Sequence, residues 1–223
     1  MAARQPALTV LQLDTRFPRV PGDVACADTY TSPPEILRIP RATVARVVTD
    51  RPAEVEIAPF ETAAASAAGR VIATSCGFLA PHRDRLARAA GRPVIASALD
   101  ILPRLVARHG AGGVLVVTFD ARSLTAAHLG AAAGVDVAGL PPDSHLRRVI
   151  ASDAPELDAA RAAAEVAALV AAHLRPAHRQ ILLECTNLPP AKPAIRAVTA
   201  LPIADVLTCI EAARPGTVRP AFL

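Results

Sequence analysis

The stretch Val71-Ile-Ala-Thr-Ser-Cys-Gly-Phe-Leu79 decides the fold, because a short apolar run ends there in a polar turn that leads toward a helix. The same order recurs in the second half of the chain, in Ile181-Leu-Leu-Glu-Cys-Thr-Asn-Leu-Pro189. In an open α/β sheet the ligand site lies beyond the carboxyl ends of the strands. Cys76 and Cys185 are therefore predicted to face one cleft.

Apolar runs alternate with helical patterns along the whole chain, which predicts βα units and mostly parallel sheets. Strands are predicted over 8–13, 70–75, 93–96, 114–118, 135–140, 180–184 and 203–206. Helices are predicted over 53–68, 83–90, 99–108, 124–132, 155–174, 194–199 and 206–213. The long helix is expected to begin at Pro155, with Asp153 as its cap.

The two halves echo each other in the order of strand, turn and helix. We expect an α/β protein with two pseudo-symmetric Rossmann-like lobes, mostly parallel sheets and an interlobe active site. Residues 1–100 form the first lobe and residues 101–205 the second, while the last helix, within 206–223, is expected to pack back onto the first lobe. The proline-rich segment 17–40 is interpreted as a long ordered loop that forms a lid or a cleft wall.

Composition narrows the class of protein. The chain has 223 residues, a net charge of +4 and 52% hydrophobic residues. The arginines are scattered, so nucleic acid is not expected as a partner. No segment resembles a membrane span or a signal peptide, which predicts a cytoplasmic protein. We expect a small-molecule substrate. The oligomeric state is left open, with a homodimer or a higher homo-oligomer as the possibilities.

The cysteines argue against metals and several cofactors. None of the four cysteines belongs to a CxxC pair, which favours reduced thiols over a disulfide framework or a metal site. Pyridoxal phosphate needs a lysine, and the only lysine, Lys192, lies in a proline-rich turn. We therefore expect no metal and no cofactor.

Two thiols in one cleft suggest acid/base chemistry. A helix N-terminus lowers a thiol pKa, and both cysteines precede predicted helices. One thiolate can remove a proton from a carbon while the other thiol delivers one to the opposite face, which inverts a stereocentre. A buried cysteine is otherwise more often a small core residue, and we interpret Cys26 and Cys209 in that way.

The same sheet edges supply hydrogen-bond donors for a carbanion or a carboxylate. The candidates are Ser75, Thr118, Thr186 and Asn187. Gly77 lets the backbone approach a ligand closely. In the early loop, Arg16 is preferred over Arg19 as a carboxylate ligand because it follows the end of the first strand more directly.

These motifs, together with Leu13-Asp-Thr-Arg-Phe-Pro-Arg-Val-Pro-Gly-Asp23, resemble the aspartate/glutamate racemase superfamily, which includes hydantoin racemases, maleate isomerases and arylmalonate decarboxylases. The resemblance implies cofactor-independent proton transfer by Cys76 and Cys185. It also implies that Asp14 and Thr15 form the acidic-hydroxyl pair after the first strand, whose acid tunes a cysteine, and that Thr118 helps to hold a substrate carboxylate.

Two positions differ from glutamate racemases. Gly77 and Phe78 replace an Asn-Thr pair, and Asn187 replaces a histidine. Glutamate is therefore not the expected substrate. We predict a racemase or epimerase for a small carboxylate or amino-acid-derived substrate. The alternatives are a maleate-type cis-trans isomerase that acts by covalent thiolate addition, and a ligand-binding protein of the same fold without turnover. A decarboxylase is less favoured, because that chemistry needs only one cysteine.

Overall fold

The computed structural model describes residues 5–132 and 134–223. Residues 1–4, which the sequence assigns to the first lobe, and residue 133 lie outside the described residues. The strands are β1 (Leu8–Gln12), β2 (Glu35–Arg38), β3 (Val71–Thr74), β4 (Val94–Ile95), β5 (Val114–Thr118), β6 (Asp136–Gly139), β7 (Gln180–Leu183) and β8 (Ile203–Ala204).

The α-helices fill most of the connections between these strands. They are α1 (Val44–Val47), α2 (Ala58–Ser66), α3 (Arg83–Ala90), α4 (Leu102–His109), α5 (Ala126–Leu129), α6 (His145–Ser152), α7 (Ala159–His173), α8 (Lys192–Val198) and α9 (Val206–Ala213). Short 3₁₀ helices extend several of them, including Gly77–His82 ahead of α3.

The strands form two parallel sheets with the same internal order. One sheet runs β2-β1-β3-β4 and the other runs β6-β5-β7-β8. Val10 pairs with Ala73 in the first sheet, and Val116 pairs with Leu182 in the second. The predicted α/β fold with two similar lobes and parallel sheets is confirmed. In both lobes the site lies beyond the ends of the two central strands.

Alternating side chains along each strand build the core. In β5, Val116 packs into a cluster that also contains Ile72 of the first lobe, while the neighbouring Val117 packs into a second cluster with α6 and α7. Successive residues of a strand point to opposite faces, so a strand covered on both faces is apolar throughout. The lobes therefore share a packed interior behind the site.

Helix α9 packs on the first sheet although it follows the last strand of the second. Val206 and Ile210 share a cluster with Val10 and Ala73. Asp205 caps this helix, and its carboxylate accepts a hydrogen bond from the Thr208 N–H at 2.8 Å. The chain thus crosses back to the first lobe at its end.

Two expectations about secondary structure are wrong. Segment 17–40 is not a continuous loop, because it contains edge strand β2, whose half-exposed residues give little hydrophobic signal. Helix α7 begins after Asp158, which accepts the Arg161 N–H at 2.9 Å. Asp153 instead ends α6, a helix the sequence reading missed, with a left-handed φ of 52°. The Asp153 carboxylate accepts the N–H groups of Arg16 and Phe17.

Candidate active site

Both predicted cysteines lie at the carboxyl ends of central strands and line one cavity. Cys76 follows β3 by two residues, and Cys185 follows β7 by two residues. Each side chain is buried, with an exposed fraction of 7%. The first and second lobes therefore each place one thiol at the same enclosed space.

The cavity wall is mostly apolar. Three aromatic rings contribute to it, from Phe17, Phe78 and Phe119. Aliphatic side chains complete this part of the wall: Leu13, Val44, Val48 and Ile150. An apolar wall with a few placed polar groups is typical of small-molecule sites.

Hydroxyl groups join the two lobes beside the thiols. Thr186 Oγ1 donates a hydrogen bond to the Ser75 carbonyl oxygen at 2.7 Å. Ser75 Oγ accepts the Leu13 N–H at 2.9 Å. The ends of β1, β3 and β7 are thus tied together, which fixes the backbone that carries both cysteines.

A polar chain leads from the second thiol into the early loop. Cys185 Sγ lies 3.7 Å from Asn187 Oδ1, and Asn187 Nδ2 donates to Asp23 Oδ2 at 2.6 Å. Arg19 forms an ion pair with Asp23 at 3.3 Å, and it also donates to Thr15 Oγ1 at 2.9 Å. The guanidinium lies 4.1 Å from the centre of the Phe17 ring. Arg19 is thereby held at the cavity with its charge already paired.

Glu184 is a fully buried carboxyl group at the cavity, and the sequence reading did not assign it a role. Thr118 Oγ1 donates to its Oε2 at 2.6 Å. A Cβ built on Gly77 would overlap Oε1 of this carboxyl group. Gly77 therefore makes room for Glu184, and Glu184 lies against the peptide that follows Cys76 while directly preceding Cys185.

The expectation that helix N-termini lower the thiol pKa values is wrong for this structure. Burial, reinforced by the Glu184 carboxylate, raises the pKa of the Cys76 thiol from 9.0 to about 12. The hydrogen bond from the Phe78 N–H and the positive charge of Arg19 oppose that rise without cancelling it. Burial and Glu184 also raise the pKa of Cys185 well above its ordinary value. The loss of hydration, which raises a thiol pKa, therefore has a larger effect than the backbone N–H groups, which lower it.

The structure separates the predicted site residues into two groups. Lining the cavity are Thr15, Ser75, Cys76, Gly77, Cys185, Thr186 and Asn187. Arg16 is exposed, and the Asp14 carboxylate accepts the Arg41 N–H at 2.9 Å, so both lie outside the lining. Thr118 lies behind Glu184 rather than in the wall. Arg19 lines the cavity instead of Arg16.

Sequence reasoning missed Glu184 and gave Arg19 too little weight. Glu184 stands in the motif that contains Cys185, and a charged residue at the end of an otherwise apolar strand was the available signal. Arg19 carried no such signal, because only the fold of the early loop brings it to the cavity.

Solved structures of two kinds of enzyme share this two-lobed arrangement. A liganded double mutant of arylmalonate decarboxylase superposes with a TM-score of 0.60 over 97% of both chains, at 14% identity. The chain has the fold of the aspartate/glutamate racemase superfamily. Glutamate racemase from Francisella tularensis, solved with D-glutamate, superposes on this fold with a TM-score of 0.50 over 93% of the chain and 79% of the racemase, at 12% identity.

The sequence is similar to a third kind of enzyme. The chain is 28% identical to dimethylsulfoniopropionate lyase 5 of Emiliania huxleyi across 97% of its length, yet it spans only 47% of that protein. It is 26% identical to dimethylsulfoniopropionate lyase of Durusdinium sp. clade D, spanning 93% of this chain and 74% of the lyase. No family model matches the sequence.

The described residues also bear on metal binding and on membrane insertion. Among residues 5–132 and 134–223, no three histidine, cysteine or acidic side chains are grouped so that they could hold a metal ion. In the same part of the chain, no helix combines the length and apolar character needed to cross a membrane.

Proposed function

We propose that this chain is a cofactor-independent enzyme in which Cys76 and Cys185 transfer the α-proton of a small carboxylate substrate. The observation that carries the proposal is that two thiols from equivalent strand ends line one enclosed, mostly apolar cavity. A thiolate is a strong enough base for this step only when water is excluded and the developing charge meets fixed donors. The Ser75 hydroxyl, which accepts the Leu13 N–H and keeps its own hydrogen, and the backbone N–H groups at the two strand ends supply such donors.

The favoured reaction is an elimination from a sulfonium carboxylate of the dimethylsulfoniopropionate class. One thiol first loses its proton to solvent. The thiolate then takes the α-proton and becomes a thiol again, the C–H electron pair forms the C=C bond, and the C–S bond breaks to release dimethyl sulfide and acrylate. The sequence relatives support this choice because they match along nearly the whole chain. The rings of Phe17, Phe78 and Phe119 also suit a methylated cation, which aromatic faces attract.

Racemisation or epimerisation is the second candidate, and the presence of both thiols favours it. In that reaction one thiolate removes the α-proton and the other thiol returns a proton to the opposite face of the same carbon. An elimination needs only one base. The two reactions therefore share the first step and differ in what the second cysteine does.

The remaining candidates use the same cavity differently. A cis-trans isomerase would add one thiolate to the double bond of maleate and expel it after rotation. A binding protein would hold a carboxylate without turnover. Asp14, Arg16 and Thr118 are not proposed as ligands in any of these schemes, since they lie outside the cavity wall.

A substrate panel separates these reactions. The purified protein is incubated in deuterium oxide with dimethylsulfoniopropionate, single-enantiomer amino acids, hydantoins and maleate, each in a separate reaction. Dimethyl sulfide in the headspace supports the lyase, α-deuteration with inversion supports the racemase, and fumarate supports the isomerase. Saturable ligand binding without any product favours the binding protein. Full activity in Cys76→Ala would sink the thiol mechanism.

A further inference from the structure

We propose that Glu184 takes up a proton when a carboxylate ligand enters the cavity, and that the resulting carboxylic acid donates a hydrogen bond from Oε1 to the ligand or to a thiolate. This inference rests on the proposed function in one respect, namely that the ligand is a carboxylate. Glu184 is then a third proton-carrying group in the cavity, beside the two thiols.

Within the described part of the chain, hydrogen bonds satisfy only one oxygen of the Glu184 carboxyl group. Its Oε2 accepts one hydrogen bond, from Thr118 Oγ1. Its Oε1 is buried and has no partner among residues 5–132 and 134–223. A buried carboxylate is stable as an anion when several donors or a cation satisfy it. One hydroxyl is too little, so burial raises the pKa of Glu184 from 4.5 to about 7.

The charges around the cavity do not compensate a second anion. Cys76, Cys185, Arg19 and Asp23 are the titratable or charged groups that act on the same space. Arg19 is the cation in the wall, and its guanidinium is already paired with Asp23. An ionised Glu184 and a ligand carboxylate would therefore place two uncompensated negative charges in a mostly apolar cavity. Protonation of Glu184 removes one of them.

Among the titratable groups of the cavity, Glu184 is the one placed to accept a proton. The thiols of Cys76 and Cys185 already hold their protons near neutral pH, because both pKa values are raised. Glu184 is the carboxyl group of the wall that changes charge near neutral pH. The new O–H lies on the oxygen that lacks a partner, since Thr118 occupies the other. In this scheme that hydrogen is donated to the ligand or to a thiolate.

The test uses propionate, an unreactive three-carbon carboxylate, as the probe. Isothermal titration in two buffers with different ionisation enthalpies counts the protons taken up on binding. For the wild type we expect about one proton per propionate at pH 8 and almost none at pH 5.5, where Glu184 is already protonated. The dissociation constant should rise about tenfold per pH unit above pH 7. In Glu184→Gln, binding should involve no proton uptake and should not depend on pH.

The matched control is Asp100→Asn. Asp100 is a second carboxyl whose pKa is raised, to about 6, mainly by burial, and it does not line the cavity. This variant should retain the proton uptake of the wild type. Circular dichroism checks that both variants fold. If Glu184→Gln does not fold, the wild type compared at pH 5.5 and pH 8 still decides.

The results for binding and turnover are separable. Proton-independent binding in the wild type, or no propionate binding even at pH 5.5, overturns the role of Glu184 whatever the enzyme does. An unchanged proton count in Glu184→Gln also overturns it. Proton-coupled binding that is lost in Glu184→Gln, in a protein without turnover on the panel, supports the role of Glu184 and overturns the proposed enzyme.

Discussion

Cys76 and Cys185 follow equivalent strands, β3 and β7, but their chain neighbours differ. Ser75 precedes the first cysteine, whereas Glu184 precedes the second. The positive charge of Arg19 lowers the pKa of Cys76, whereas the negative charge of Asp23 raises that of Cys185. The first thiol is therefore the easier one to ionise. Pseudo-symmetry of the backbone has not produced two equivalent thiols, and on this difference we propose Cys76 as the base and Cys185 as the proton donor.

The largest expected effect comes from removing the thiols one at a time. Cys76→Ala should lower proton abstraction by about 10²–10⁴-fold, which is the usual contribution of a general base. If the reaction is an elimination, Cys185→Ala should lose less, because the second thiol is not the base. Equal losses would support racemisation instead. Headspace dimethyl sulfide and α-deuteration measure both, and Cys209→Ala, a core cysteine of α9, should behave like the wild type.

The next effect concerns a buried ion pair that connects the two lobes. Lys192 of α8 lies 2.7 Å from Asp205, the residue that caps α9 on the first lobe, and both are buried. Asp205→Asn leaves a buried ammonium without its counter-charge, so the free energy of unfolding should fall by about 3–5 kcal/mol. Urea denaturation measures it. Glu61→Gln, which breaks the exposed pair with Arg85 at 2.8 Å, should cost under about 1 kcal/mol. Equal losses of unfolding free energy in Asp205→Asn and Glu61→Gln would show that burial does not make the loss of an ion-pair partner more costly.

Glu184, at the end of the second cysteine-bearing strand, makes the stability of the protein depend on pH. Its carboxyl pKa is raised from 4.5 to about 7, so the folded state binds this proton more tightly than the unfolded state. Its contribution to stability is full below pH 4.5 and is lost as the pH rises to about 7, amounting to ~3 kcal/mol. Glu184→Gln should lack this loss and be more stable than the wild type at pH 8. Urea unfolding at pH 4.5 and pH 8 tests it, and identical pH dependence in both proteins would refute it.

The smallest effect is a change in the ionisation of single thiols. Arg19→Met removes a positive charge and should raise the pKa of Cys76, which slows its alkylation by iodoacetamide at a fixed pH. Asp23→Asn removes a negative charge and should lower the pKa of Cys185, which accelerates its alkylation. A shift of one pKa unit corresponds to about tenfold in each rate. Mass spectrometry of the two cysteine peptides gives both rates. Faster alkylation of Cys76 in Arg19→Met together with slower alkylation of Cys185 in Asp23→Asn would reverse the proposed base and donor.

Local patterns in the sequence predicted much of the fold. Strands such as β5 and β7 are covered on both faces, and therefore their residues form uninterrupted apolar runs. The edge strand β2 was missed because its residues are only half-buried. Helix α6 was missed as well, and the start of α7 was misplaced, since Asp153 and Asp158 are both adequate caps by composition.

Local sequence patterns were enough to predict two lobes with both cysteines at strand ends, because strand periodicity and the direction of parallel strands are local properties. The electrostatics of the site, by contrast, follow from the packed fold. That fold placed Arg19 rather than Arg16 in the wall, tied Asp14 to Arg41, and buried Glu184 against Gly77. Burial and charge pairing depend on residues that lie far apart in the chain. Their arrangement in space sets the pKa values of the two thiols.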